Sequence, residues 1–128
     1  MKIELTRASV CAADDCDAPH AKLMTVPDDT PLEELARIVQ RDYVPGNIAG
    51  GEATWSLVAD RPLAVLAQQW REPKLVRQLP LQLAELKGQH GSVKLHVNYH
   101  AQVDPEIALE ILRELKLETI QHQPGHVR

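Results

Sequence analysis

Residues Ser92 to Tyr99 alternate without a break: Val93, Leu95, Val97 and Tyr99 fall on one side, and Lys94, His96 and Asn98 on the other. Successive side chains of a strand point to opposite faces, so this pattern predicts a strand with one face buried. A sheet with a covered face is therefore required, and the remaining segments must supply its other strands and its cover. Lys2–Val10 reads as a first strand, with Ile3 and Leu5 alternating with Lys2, Glu4 and Arg7, and Ala21–Val26 resumes the extended pattern with Leu23, Met24 and Val26. Between these two lies an acidic segment, Cys11–His20, long for a hairpin loop, and long loops carry contacts or ligands more often than short ones.

Ala53–Ala59 and Leu63–Trp70 flank Asp60-Arg61-Pro62 and predict a second hairpin, with Pro62 at a strand start where its missing donor is tolerated. The near-continuous run Leu63-Ala64-Val65-Leu66-Ala67 predicts a central strand covered on both faces. Thr30-Pro31-Leu32-Glu33 has the form of a helix start: a hydroxyl to cap, Pro at the first helical position, and Glu to close a capping box. A helix to about Gln40 puts Leu32, Leu35, Ala36 and Val39 on one face, turned to the sheet. Val44-Pro45-Gly46-Asn47 ends it, and a loop follows to Gly50-Gly51. Leu81–Leu86, between Pro80 and Gly88, predicts a short helical turn. Asp104-Pro105-Glu106 opens a second helix through Leu115 or Leu117, with Ile107, Ala108, Ile111, Leu112 and Leu115 as its apolar stripe.

The chain has 128 residues, the size of one compact domain, expected over 1–118 with 119–128 as a flexible tail. Hydrophobic residues make up 44% and charged residues 25%, a globular composition; with no Phe, two Trp and two Tyr, the core must be aliphatic. A net charge of −4 argues against broad binding to nucleic acid or an anionic membrane. No segment approaches the roughly 18 apolar residues of a membrane span, and Met1-Lys2-Ile3-Glu4 lacks a secretory pattern, so a cytoplasmic location is expected.

Hairpin, helix, hairpin, short helical turn and final strand is the element order of the ubiquitin-like β-grasp, which residues 1–100 resemble. The expected class is α+β: a β-grasp-like mixed sheet with one packed helix and an added C-terminal helix. Conjugated modifiers and sulfur carriers of this superfold end in a free Gly-Gly pair. Here the nearest pair, Gly50-Gly51, is internal and the chain ends His126-Val127-Arg128, which disfavours both activities. Its ferredoxins hold an iron–sulfur cluster with four cysteines, and this chain has two. The resemblance leaves a recognition scaffold, and the added helix is available to cover a sheet edge or to pair two copies as a homodimer.

Cys11-x4-Cys16-x3-His20 is the sharpest local constellation, two thiolates and an imidazole suited to zinc, with Asp14, Asp15 or Asp17 able to add an oxygen. A polar connection with partly buried thiols, or a short Cys11–Cys16 bridge, accounts for the same residues. His96 and His100 sit on a strand, where four residues at about 3.3 Å each separate them by roughly 13 Å, too far for one ion; they are expected to face solvent. Gly46-Asn47-Ile48-Ala49-Gly50-Gly51 lacks the Lys and Ser or Thr of a phosphate loop, having Glu52-Ala53 there instead. Ser9, Ser56 and Ser92 lack a nucleophile elbow, so catalysis has no motif behind it.

Trp70, followed by Arg71, Lys74 and Arg77, combines an aromatic anchor with a locally basic segment, in contrast to Asp14-Asp15-Cys16-Asp17. The expectation is a non-catalytic module that binds another protein through Trp70, Arg71, Lys74 and Arg77, as an adaptor or a neutralising immunity-type protein. It would need no cofactor. A metal-binding regulatory protein using Cys11, Cys16 and His20 with zinc, and an unassigned small enzyme, are the alternatives.

Overall fold

The computed structural model describes residues 1–8, 20–45, 48, 50–77, 82–88 and 90–122, with side chains described through residue 114. Its architecture is α+β, a six-stranded mixed sheet with a helix on each face. The strands are β1 (Lys2–Arg7), β2 (Lys22–Thr25), β3 (Thr54–Ala59), β4 (Arg61–Ala67), β5 (Lys74–Leu75) and β6 (Ser92–Tyr99). The helices are α1 (Leu32–Asp42) and α2 (Pro105–His122), and a 3-10 turn spans Leu83–Leu86. Strand order is β2-β1-β6-β3-β4-β5. Every neighbouring pair is antiparallel except β1 and β6, which run parallel with Lys2 opposite Ser92 and Arg7 opposite Val97.

The register of β1 on β6 puts Ile3 and Leu5 beside Val93, Leu95 and Val97 in one buried layer. Helix α1 covers that layer with Leu32, Leu35, Ala36 and Val39, the four residues its spacing selects. Its start differs from expectation. Pro31 is the N-cap residue, no side chain caps the helix, and the Thr30 hydroxyl donates instead to the Pro27 carbonyl at 2.7 Å. The Pro-Asp-Asp-Thr turn consumes the hydroxyl before the helix can use it, and the first turn closes through backbone alone, Leu35 N–H to the Pro31 carbonyl at 3.0 Å. The N-terminal ammonium ties down the same region, donating to the Val26 carbonyl at 2.9 Å and to Asp28 at 2.7 Å. That contact holds the Asp28 carboxyl below its ordinary range.

β4 is buried from Leu63 to Ala67, as its apolar run requires, because α1 covers one face and α2 the other. It is next to the sheet edge rather than central, since two-residue β5 pairs along its outer side. The β3–β4 turn is a single residue, Asp60, with φ of +52°, and a register shift between Leu57 and Val58 lets Pro62 enter the strand opposite Val58.

Helix α2 is capped as its sequence predicts: Asp104 Oδ1 accepts from the Glu106 N–H at 2.9 Å. It continues to His122, beyond the expected end, so the proposed tail from residue 119 begins as helix. Its buried stripe is also rotated. Ala108 and Leu109 are buried and Leu112 packs beside them, whereas Ile107 and Ile111 are 50% and 51% exposed. Two polar clamps set this rotation. Lys74 Nζ meets Glu106 at 2.8 Å, and Arg113 donates to the Val76 and Leu75 carbonyls at 2.8 and 2.9 Å. Those carbonyls belong to and adjoin the edge strand β5, which the arginine satisfies along its open side. Leu109→Ala is expected to cost about 2–4 kcal/mol of folding stability, and Ile111→Ala no more than about 0.5 kcal/mol. Urea midpoints of the two variants measure the difference, and equal losses would contradict this orientation of α2.

Candidate functional site

The C-terminal half of α1 stands beside the connection that leaves β4, and the two are tied across a gap. Gln40 Nε2 donates to the Trp70 carbonyl at 3.2 Å, and Arg37 Nε approaches Glu72 at 3.5 Å while its Nη1 holds Glu34 at 2.8 Å. Between these ties lies an open groove of about 430 Å³, within the range of small-ligand and side-chain pockets. Its floor is apolar, from Val44, Pro45, Trp55, Leu66 and Ala67, and its rim carries Arg37, Arg41, Arg71 and Glu72. Two of the three arginines spend their charge on nearby acids, Arg37 on Glu34 and Glu72, and Arg41 on Asp42 at 2.8 Å. Arg71 has no ion pair among the described residues.

Two polar atoms of groove residues are buried without a hydrogen-bond partner, Gln40 Oε1 and Trp55 Nε1. Trp55 is 1% exposed and packs on Tyr99 of β6 with ring centroids 4.6 Å apart. On its other approach stands Arg7, whose guanidinium carbon is 5.9 Å from the Trp55 ring and 6.0 Å from the Tyr43 ring. Tyr43 donates its hydroxyl to the His20 carbonyl at 2.6 Å. Burial raises the Tyr43 phenol above its ordinary pKa, against the opposing pull of the Arg7 charge.

The four residues expected to act together are divided. Arg71 lines the groove on the α1 side. Trp70 packs on the α2 side, against Val65, Val76 and Leu109, with Lys74 Nζ 4.5 Å above its ring. Lys74 is further engaged by Glu106, and Arg77 is half-buried with Nη2 unpartnered. Trp70 is thus a satellite-core residue shielded by Lys74, which leaves Arg71 as the exposed binding candidate of the set. Sequence reasoning missed Arg37, Gln40 and Arg41, whose only signal was polarity on the far face of α1, and it placed Arg7 with the polar residues of β1. The parity of that strand pointed elsewhere, since residue 7 is in phase with Ile3 and Leu5.

Cys11 and Cys16 lie outside the described residues. His20 is described, with a positive φ of 57° and its Nε2 buried and unpartnered. Among the described residues no group of three His, Cys, Asp or Glu side chains is placed to hold a metal ion. Gly50 and Gly51 turn with φ of +94° and +67°, and Gly46, Asn47 and Ala49 lie outside the described residues. His96 and His100 are half-buried rather than simply solvent-facing: His96 Nδ1 bonds the Thr6 hydroxyl at 2.7 Å, and His100 Nε2 the Ser56 hydroxyl at 2.8 Å. Both stand on the sheet face that α1 does not cover. Ser56 is only 2% exposed, so its bond to His100 pins the start of the β6–α2 connection, beside the Thr54 hydroxyl donating to Val103 at 2.6 Å.

The chain matches no protein-family model, no curated protein and no solved structure.

Burial lowers the His100 pKa below its ordinary 6.5. The unfolded chain therefore binds a proton at a pH where the folded chain resists it, and stability rises with pH through that window. His100 contributes fully above about pH 6.5 and its contribution is lost as pH falls below that value. The expected outcome is that His100→Gln flattens the acid side of the stability profile, read from urea midpoints at a series of pH values. An unchanged slope would show that His100 does not titrate across folding.

Proposed function

We propose that this chain is a non-catalytic protein-interaction module on a ubiquitin-like β-grasp scaffold, holding an extended segment of its partner in the groove between α1 and the β4–β5 connection. The sheet order β2-β1-β6-β3-β4, with a parallel pair joining two antiparallel hairpins and α1 between them in the chain, supports the β-grasp assignment. The observation that carries the functional reading is the groove itself: an apolar floor bearing Trp55, an Arg71 without an ion pair among the described residues on the rim, and walls tied to each other by Gln40 and the Arg37–Glu72 pair.

A volume of about 430 Å³ takes two or three side chains, not a whole domain surface. An apolar residue of the partner would rest on Trp55 and Leu66, and a neighbouring acidic residue would meet Arg71. Charge at the rim then sets orientation and encounter rate, while desolvated contact with the floor supplies most of the affinity. A peptide group approaching the floor offers both a donor and an acceptor, which suits Gln40 Oε1 and Trp55 Nε1.

Selection of random displayed peptides on the purified protein tests this reading. The expected outcome is enrichment of segments pairing an apolar residue with Asp or Glu, whose addition shifts the amide signals of Gln40, Arg41, Val44, Gln68 and Arg71. Arg71→Glu should weaken such a peptide about tenfold or more while leaving the fold intact. No enrichment, or shifts confined to β2 or α2, would reject the groove as the binding surface.

A further inference from the structure

Four large apolar side chains are exposed among the described residues, and three of them are grouped at α2: Val103 just before the helix, and Ile107 and Ile111 on it, at 44%, 50% and 51% exposure. Single exposed apolar residues are ordinary, but a contiguous group marks a surface that another molecule covers. Helical spacing fixes the face they occupy. Pro105, Ala108 and Leu109 are buried and Leu112 packs beside them, so Ile107, Glu110, Ile111 and Glu114, at i, i+3, i+4 and i+7, share the outward side. Anchors at this spacing are how a helix is read by a groove.

Charge decides between the possible occupants. Glu110 and Glu114 are exposed on the same face as the two isoleucines. The one cation among the described side chains of α2, Arg113, is held on the Leu75 and Val76 carbonyls. Laying two copies of this face together, in either direction, sets carboxylates against carboxylates, and juxtaposed like charges oppose association. The complementary surface is instead concave, apolar and cationic, and this chain carries such a surface. The groove of about 430 Å³ has Trp55 and Leu66 in its floor and Arg37, Arg41 and Arg71 on its rim. Two isoleucine side chains one helical turn apart suit a space that takes two or three side chains, and the carboxylates beside them match the arginine rim.

We propose that the outward face of α2 in one copy docks in the groove of a second copy. The proposal rests on the reading of the groove as a binding surface, and adds that a ridge of this same fold competes there with an extended segment of another partner. The groove lies on the α1 side of the sheet and α2 covers the other side. Two rigid copies therefore cannot exchange both contacts at once. The contact is head-to-tail, each copy keeps a groove or a helix free for the next, and assembly continues past a dimer.

Sedimentation equilibrium over a concentration series tests this. The weight-average mass is expected to rise past that of a dimer, and to fall as salt is raised, because the rim charges are screened. Arg71→Glu, which alters the groove, and Ile111→Lys, which alters the ridge, should each weaken association about tenfold or more. Both positions are exposed, and amide spectra check that each variant keeps its fold. Mixed in equal amounts, the two variants should form a heterodimer and stop there, since only the intact helix of one meets the intact groove of the other. A wild-type mass that stays at the monomer at every concentration, self-association that survives Arg71→Glu, or a mixture that remains monomeric would overturn the proposal. Peptide selection is run on dilute protein, so a groove that binds peptides in a chain that never self-associates separates failure of this proposal from failure of the groove reading.

Discussion

The parallel pairing of β1 with β6 organises everything else. Two strands some 90 residues apart in the chain lie side by side, Lys2 to Arg7 against Ser92 to Val97. Parallel neighbours cannot be joined by a tight turn, so β2, α1 and the β3–β4 hairpin must all be accommodated within one long crossover. The pairing also fixes parity. Ile3 and Leu5 enter the buried layer with Val93, Leu95 and Val97, while Thr6 meets His96 and Ser92 bonds the Glu4 carboxylate on the opposite face. A slip of one residue would exchange the two sets and expose the whole apolar row. Arg7 is carried inward by the same rule: in phase with Ile3 and Leu5, at the last position of the strand, it follows them under the cover of Tyr43 and Trp55.

The two faces of the sheet are closed by different means. On the α1 face the cover is apolar and wide, running from Leu32 to Val39 over β1, β6, β3 and β4. The α2 face is covered mainly over β4 and β5, by a small cluster of Val65, Val76 and Leu109, and it is held at its margins by Lys74, Glu106 and Arg113. β4 lies beneath both covers, which is why its sequence shows an unbroken apolar run where β6 alternates. Where the chain leaves β4, Trp70 turns to the α2 side and Arg71 to the α1 side. One peptide step therefore separates a core aromatic from a groove cation, and the Trp70 carbonyl between them receives Gln40.

Legibility in the sequence followed the strength of the local pattern. β6 has the predicted boundaries, because eight residues of strict alternation admit no other assignment. The four buried residues of α1 follow from helical spacing alone. The stripe of α2 was ambiguous, since Ile107 and Ile111 are as apolar as Ala108, Leu109 and Leu112, and the decision between adjacent stripes was made by Lys74 and Arg113, tertiary contacts with no local signature. The Thr30 cap failed for a comparable reason, a turn partner at Pro27 competing for the same hydroxyl. The groove was half legible. Arg71 was reachable from a run of basic residues after an aromatic one, but its companions Arg37, Gln40 and Arg41 are ordinary polar positions of an amphipathic helix until β4 is set beside them.

Net charge is a poor guide to this surface. The chain is acidic by four charges, yet the groove beside Trp55 is rimmed by cations: Arg37 and Arg41 are matched by Glu34, Glu72 and Asp42, while Arg71, and Arg7 behind Trp55, have no ion pair among the described residues. Local field, not the overall sum, decides what a partner meets within a Debye length of the groove, about 8 Å at physiological salt. Arg71 is exposed, so salt screens it, and in the proposed complex it would act mainly on the rate and direction of encounter. Arg7 is shielded from salt by the same burial that removes its water, and its charge acts on the Tyr43 and Trp55 rings beside it. The two arginines therefore differ in reach: Arg71 presents its charge at the groove rim, and Arg7 keeps its charge beneath Tyr43 and Trp55.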